Sequence, residues 1–224
     1  MNRLSTGLLS ALFLTLGSSV VITASADSQE LSPDGLELVE KDRRGEIYAA
    51  PGVDWSVYQQ ILLEPASVAF RRNWQRDQNR YHSLKVKPRD VERIKSDLAS
   101  LFDEVFTEEL TADGAYEMAA ESDENVLRIR PQIVDLDIYA PDTRSAGITQ
   151  SYTETSGKMT LKLELYDSVT GDLIATASDR RESPRRGYYQ WSNSVSNRAD
   201  ARRMLERWAK DLRKRLDEAR DESS

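Results

Sequence analysis

KMTLKLELYDSVTGDLIATAS, residues 158–178, decides the fold. Met159, Leu161, Leu163 and Leu165 alternate with Lys158, Thr160, Lys162 and Glu164, the period-2 signature of a strand with one dry face and one wet face. Asp167-Ser168-Val169-Thr170-Gly171-Asp172 then supplies turn chemistry: short oxygen-bearing side chains to hold turn amides, and a glycine able to take positive φ. The turn leads into a partner strand, Leu173 to Ser178, so this stretch predicts an antiparallel hairpin. Calcium is the rival reading of the acidic turn, but its spacing is not that of an EF-hand loop.

Upstream, Val126 to Tyr139 carries apolar residues at Leu127 and Ile129 and then, in the other phase, at Val134, Leu136 and Ile138. A one-residue phase slip beside Pro131 predicts a bulge or kink there. Two amphipathic segments complete the pattern. The first opens at Lys87-Pro88-Arg89-Asp90, with proline suited to the first helical position and Asp90 to the positive helix end. It carries Val91, Ile94, Leu98, Leu101, Phe102, Val105 and Phe106 at helical spacing to about Leu110, stopping near Asp113-Gly114. The second runs from Ala199 to Arg220 behind an Asn197 cap, with Ala201, Leu205, Trp208, Leu212, Leu216 and Ala219 as its stripe. Further upstream, a short strand signal in residues 47–58 and a Pro65-interrupted run in 59–70 precede the first helix. The expected fold is α+β, a two-layer sandwich with a mostly antiparallel sheet and both long helices on one face.

The domain boundaries follow from composition. Arg3, an apolar run from Leu8 to Ile22 and Ala24-Ser25-Ala26 read as a signal peptide, residues 1–26, cleaved after Ala26. The apolar run is about 15 residues, short of the roughly 20 needed to span a bilayer. Residues 27–45 read as an extended N-terminal arm touching down through Leu31, Leu36, Leu38 and Val39, residues 46–220 as one domain, and 221–224 as a disordered tail. The segments 71–87, 140–157 and 179–197 are polar and fall outside the predicted elements.

Charge and residue inventory narrow the function classes. The chain holds 31 Lys and Arg against 38 Asp and Glu, a net charge of −7, which argues against a nucleic-acid partner. There is no cysteine, hence no disulfide framework, no thiol nucleophile, no cysteine-ligated metal and no lipid-attachment site; the expected product is a periplasmic protein, soluble after export, and not a lipoprotein. His82 is the only histidine, which leaves a Ser-His-Asp triad one candidate base in a polar loop and makes an all-histidine metal site impossible. No cofactor, catalytic residue or metal ligand is assigned. A carboxylate pair of the glycosidase type would draw on Asp135, Asp137, Asp142, Glu154 and Asp167.

The segment PGVDWSVYQQILLEP and the later run LKLELYDSVTGDLIATASDRRE resemble the exported bacterial family known as domain of unknown function 3313 (DUF3313). The matching positions are Pro51, Gly52, Asp54, Trp55, Ser56 and Tyr58, then Asp167, Ser168, Thr170, Gly171 and Asp172, and the resemblance covers about Leu31 to Arg215. It implies an exported, envelope-resident protein and carries no reaction. On their chemistry Asp54 or Ser56 caps a turn, Trp55 and Tyr58 cover the sheet edge, and Asp167, Thr170 and Gly171 make a hairpin.

Two segments mix arginine with aromatic residues: Arg71, Arg72, Trp74, Arg76, Arg80 and Tyr81, and then Arg180, Arg181, Arg185, Arg186, Tyr188, Tyr189 and Trp191. Arg, Tyr and Trp are the residues enriched at binding hot spots, and guanidinium forks grip phosphates and carboxylates; the alternative is that Trp74 and Trp191 cover the core while the arginines pair with local acids. The leading reading is a non-catalytic binding or assembly module whose Arg/aromatic loops meet another envelope component, either a protein or an anionic glycolipid or peptidoglycan. The alternatives are an envelope hydrolase with paired carboxylates and a structural homo-oligomer built by edge-strand pairing, suggested by Pro65 and Pro131.

Overall fold

The computed structural model describes residues 31–81, 85–138, 152–153, 157–182, 190–191 and 194–223. Its elements run β1 (Glu37–Lys41), β2 (Gly45–Ala49), β3 (Gln60–Leu63), β4 (Ser67–Phe70), α1 (Trp74–Tyr81), α2 (Pro88–Leu110), β5 (Glu117–Met118), β6 (Val126–Ile138), β7 (Tyr152–Thr153), β8 (Gly157–Asp167), β9 (Leu173–Glu182), β10 (Gln190–Trp191) and α3 (Ser194–Ser223). The main sheet has eight strands in the order β1-β2-β9-β8-β6-β3-β5, with β4 also on β6, while β10 and β7 pair separately. This is the expected α+β sandwich, except that its sheet is mixed. β1, β2, β9, β8 and β6 pair antiparallel, whereas β3 and β4 lie parallel to β6.

The dry face of β8 is the one read from its alternation. Met159, Leu161, Leu163 and Leu165 are buried against Leu101, Phe102, Val105 and Phe106 of α2 and Leu205, Trp208, Leu212 and Leu216 of α3. The other face is wet, and there the Arg128 and Arg130 guanidinium carbons lie 4.7 and 4.9 Å from the Tyr166 ring centroid. Pro88 opens α2 as expected, and the Asp90 carboxylate accepts the Lys87 N–H at 2.9 Å.

Several expectations are corrected. The bulge in β6 is four residues beyond Pro131: the register slips between Val134 and Asp137, and Asp135 takes φ 52°. Ile133, and not Val134, continues the buried phase of Leu127 and Ile129; Val134 is an apolar residue on the wet side, which misplaces the slip when phase is read from residue type alone. Pro131 sits in regular register opposite Leu163. The Ile129 carbonyl accepts the Glu64 N–H at 2.9 Å, so Pro131, two residues on, turns its missing donor toward the same side, at the break between β3 and β4 that Pro65 makes. Both prolines therefore lie within the sheet and mark no edge for self-pairing. The second half of the expected arm is strand β1, with Leu36 buried while Leu31 and Val39 are 59% and 61% exposed. The predicted Asn197 cap is inside α3, which starts at Ser194, and residues 221–223 are its last turn. Residues 74–81, expected to be irregular, form α1, and β9 runs four residues past Ser178.

Candidate interaction surface

The two turn motifs meet at one end of the sheet. The Asp54 carboxylate accepts the Ser56 N–H at 3.0 Å and caps a 3-10 turn over Trp55–Val57, with Trp55 and Tyr58 edge to face at 6.2 Å. The buried Tyr58 hydroxyl donates to Asp167 Oδ2 at 3.0 Å, while Asp167 Oδ1 accepts the N–H groups of Val169 and Thr170 at 3.0 and 2.8 Å. Burial, and then the Asp167 carboxylate, push the Tyr58 phenol well above its ordinary value. The Thr170 backbone donor leads the groups that hold Asp167 below its own. Gly171 takes φ 76° as the turn requires. Asp54, Trp55, Tyr58, Asp167, Thr170 and Gly171 thus form one brace. The Trp55 N–H also donates to Ser223 Oγ at 3.2 Å, tying the end of α3 to the same place.

The arginine and aromatic residues of the first loop divide into two sets. Trp74 is 1% exposed, stacks on Phe70 at 3.9 Å and donates its indole N–H to the Ile138 carbonyl at 2.8 Å. It is a core residue, not a contact for a partner. Arg71 is also engaged, with Asp77 at 2.7 Å and Asp137 at 2.9 Å, and these two carboxylates raise its pKa. Arg72, in the turn before α1, and Arg76 and Arg80 on α1 are by contrast exposed, Arg76 with its guanidinium 3.5 Å from Asp77. Next to them the chain turns into α2 through a corner fixed by side chains. Asn79 accepts the Val86 N–H at 2.7 Å, Asn79 and Gln75 both donate to the Val86 carbonyl, and Val86 is 5% exposed. Lys87 and Arg89 are exposed on the far side of that turn. The corner thus presents cations of α1 and α2 on one fixed mount. The Tyr81 side chain, His82, Arg185, Arg186, Tyr188 and Tyr189 lie outside the described residues; Trp191 is in β10, its side chain outside them as well.

In the second segment Arg181 points into the protein. It is 9% exposed, donates to Asp179 at 2.8 Å and to Asp211 of α3 at 2.5 Å, and lies 5.6 Å from the Trp208 ring centre. The Trp208 indole N–H donates to the same Asp179 oxygen at 2.9 Å. Sequence reading missed this knot, although the signal was present: Ala175, Ala177, Asp179 and Arg181 share the dry phase of β9, paired with Leu165, Leu163, Leu161 and Met159. A cleft of about 610 Å³, counting space open to solvent, lies beside it, floored by Ile47, Leu161, Leu163 and Ala177. Its rim charges are matched internally, Arg215 with Glu40 at 2.7 Å and Arg44 with Asp42 at 3.1 Å.

Of the candidate carboxylates for hydrolysis among the described residues, Asp137 and Asp167 do not converge. Asp137 pairs with Arg71 and Lys158, Asp167 holds Tyr58, and Asp167 lies opposite Leu127, ten residues from Asp137 along β6. That is roughly 30 Å of strand, far beyond the roughly 5–10 Å of a glycosidase pair. Asp135 is exposed in the bulge; Asp142 and Glu154 lie outside the described residues. Among the described residues there is no group of His, Asp and Glu arranged to hold a metal, and no helix long and apolar enough to cross a membrane.

The architecture is that of an open mixed-sheet α+β domain with its helices on one side. The chain belongs to the family described as protein of unknown function (DUF3313), whose family model matches residues 26–212. Among solved structures it is similar to a PelC dodecamer from Paraburkholderia phytofirmans, with 10% identity, TM-score 0.32, and coverage of 72% of this chain and 96% of that one. It is also similar to a neuraminyllactose-binding hemagglutinin homologue from Helicobacter pylori, with 12% identity, TM-score 0.40 and coverage of 76% and 88%. A minor lipoprotein from Acinetobacter baumannii gives 14% identity, TM-score 0.32 and coverage of 71% and 93%. These likenesses are distant. The search of curated proteins found no match.

Proposed function

We propose that the protein is a non-catalytic binding and assembly module of the cell envelope, exported by its leader and released after Ala26, and that it docks through the cationic corner of α1 and α2. The observation that carries this reading is the mounting of that corner. Trp74 anchors α1 in the core, and Asn79 and Gln75 clamp the Val86 backbone, so Arg72, Arg76, Arg80, Lys87 and Arg89 are held on a surface that loses little conformational freedom on binding. Guanidinium groups on such a mount suit carboxylate or phosphate groups of a partner. The leader sequence supports the compartment.

The test is crosslinking and affinity capture of the tagged mature protein from cell envelopes, run beside an Arg72→Ala/Arg76→Ala/Arg80→Ala variant of unchanged melting temperature. The expected outcome is a component captured by the native protein and lost by the variant. Equal capture by both overturns the assignment of the corner.

A further inference from the structure

The corner is one pole of a molecule whose opposite end is acidic. Beside the Asp77 and Asp137 that hold Arg71, Asp90 and Glu92 of α2 and Asp135 of the β6 bulge are the acids nearest the corner on the elements that meet there, outnumbered by Arg71, Arg72, Arg76, Arg80, Lys85, Lys87 and Arg89. β6 connects the poles: the Trp74 anchor of the corner donates to Ile138 at its last residue, and the Asp123–Asn125 turn leads into its first, Val126. The turn end of the sheet also carries the Asp54 cap, the Asp167–Asp172 hairpin and the last turn of α3, joined by the Tyr58–Asp167 and Trp55–Ser223 bonds. Asp54, Asp123, Glu124, Asp172, Asp221 and Glu222 are all exposed there.

Local helix energetics do not ask for this sorting. Acids at a helix C-terminus oppose the macrodipole, by about 0.3–1 kcal/mol each where solvated. Yet α3 has Asp221 and Glu222 in its last turn with only Arg220 as a basic residue, and no acid in its first turn. The last turn of α2 has no basic residue of its own and takes its cation from α3, Arg213 donating to the Glu109 and Ala112 carbonyls at 3.3 and 3.1 Å.

Thirteen residues of β6 separate the poles, roughly 40 Å at about 3.3 Å per residue. The screening length at physiological salt is about 8 Å, so the poles cannot neutralise each other within one copy. A facing surface likewise senses the charge of the nearest pole, not the net −7 of the chain. We propose that the cationic corner of one copy docks on the acidic turn end of a second copy, head to tail. This rests on the reading of the corner as a docking surface and names its partner. The contact is heterologous, because different patches meet, so the assembly grows as a chain or closes as a ring.

The experiment is sedimentation velocity of the mature protein at about 50 mM and about 500 mM salt, which changes the screening length several-fold. Two charge-reversed proteins are run beside it, Arg72→Glu/Arg76→Glu/Arg80→Glu and Glu124→Lys/Asp172→Lys/Glu222→Lys. The native protein is expected to sediment as concentration-dependent oligomers at the lower salt and as monomer at the higher. Each variant alone is expected to be monomeric in both, and an equimolar mixture of the two to associate again, because the reversed corner of one now faces the reversed turn end of the other.

A native protein that is monomeric at every concentration at low salt overturns the proposal, and so does a mixture of folded variants that stays monomeric. Should either variant fail to fold, the salt series on the native protein still decides. A monomeric native protein whose envelope partner is lost on Arg72→Ala/Arg76→Ala/Arg80→Ala refutes self-docking and leaves the corner as a surface for that partner. Binding to anionic lipid vesicles without self-association likewise refutes the second copy as occupant.

Discussion

Trp74 shows how one residue can carry two readings, a contact for a partner and a cover for the core, of which the structure bears out the second. Its neighbours are arginines, an asparagine and glutamines, a composition that reads as a solvated loop, yet the ring is stacked on Phe70 in the core. Trp74→Ala is expected to cost about 3–5 kcal/mol in chemical denaturation, the range for large-to-small core changes, whereas Arg72→Ala on the surface should stay within about 0.5 kcal/mol. The Tyr58–Asp167 bond makes a second prediction. Tyr58→Phe should cost about 1.5 kcal/mol, the low end for a bond to a charged group, because Asp167 keeps two backbone donors. Its pH signature has two limbs. Asp167 is held below its ordinary 3.8, so its contribution is full above that value and is lost as acid takes the pH down through the folded value. Tyr58 is held above its ordinary 10.0, so its contribution is full below that value and is lost as pH rises toward the folded one. Melting temperature followed from acid to alkali should therefore fall at both extremes, and Tyr58→Phe should remove the alkaline loss that this phenol causes.

At the scale of elements, legibility tracked how local each signal was. β8 and α2 were readable because their information lies in alternation, in helical spacing and in Pro88 and Gly114 at the boundaries. The parallel pairing of β3 and β4 on β6 was not readable, since strand direction is set by connections through α1 and α2 and leaves no mark on four-residue runs. The site was half legible. Arg72, Arg76 and Arg80 were recognised as cations, but the corner that mounts them depends on Asn79 meeting Val86, a contact between residues with no distinguishing pattern. The β2–β9 pairing gives the sharpest element-level prediction. A Cβ on Gly45 would stand 1.7 Å from the Ser178 carbonyl oxygen, so Gly45→Ala must push β2 away from β9. The expected loss is about 1–3 kcal/mol, as for overpacking, together with faster amide exchange along β1 and β2; an unchanged melting temperature would contradict this close approach.

For the molecule as a whole, separated poles should show in ion exchange. At pH 7 and low ionic strength the mature protein is expected to bind cation exchanger as well as anion exchanger despite its net negative charge, and Arg72→Glu/Arg76→Glu/Arg80→Glu should abolish the first and strengthen the second. The placement of the chain ends adds one more consequence. Leu31 bridges to Glu37, whose partner Ala49 lies beside Ala175 near the hairpin turn, and Ser223 is held at Trp55 on that same side. Polypeptide therefore leaves the domain from one side at both described ends. A tether, a fused domain or a resin attached at either described end would sit at the pole opposite Arg72, Arg80 and Arg89, leaving these three on one working face.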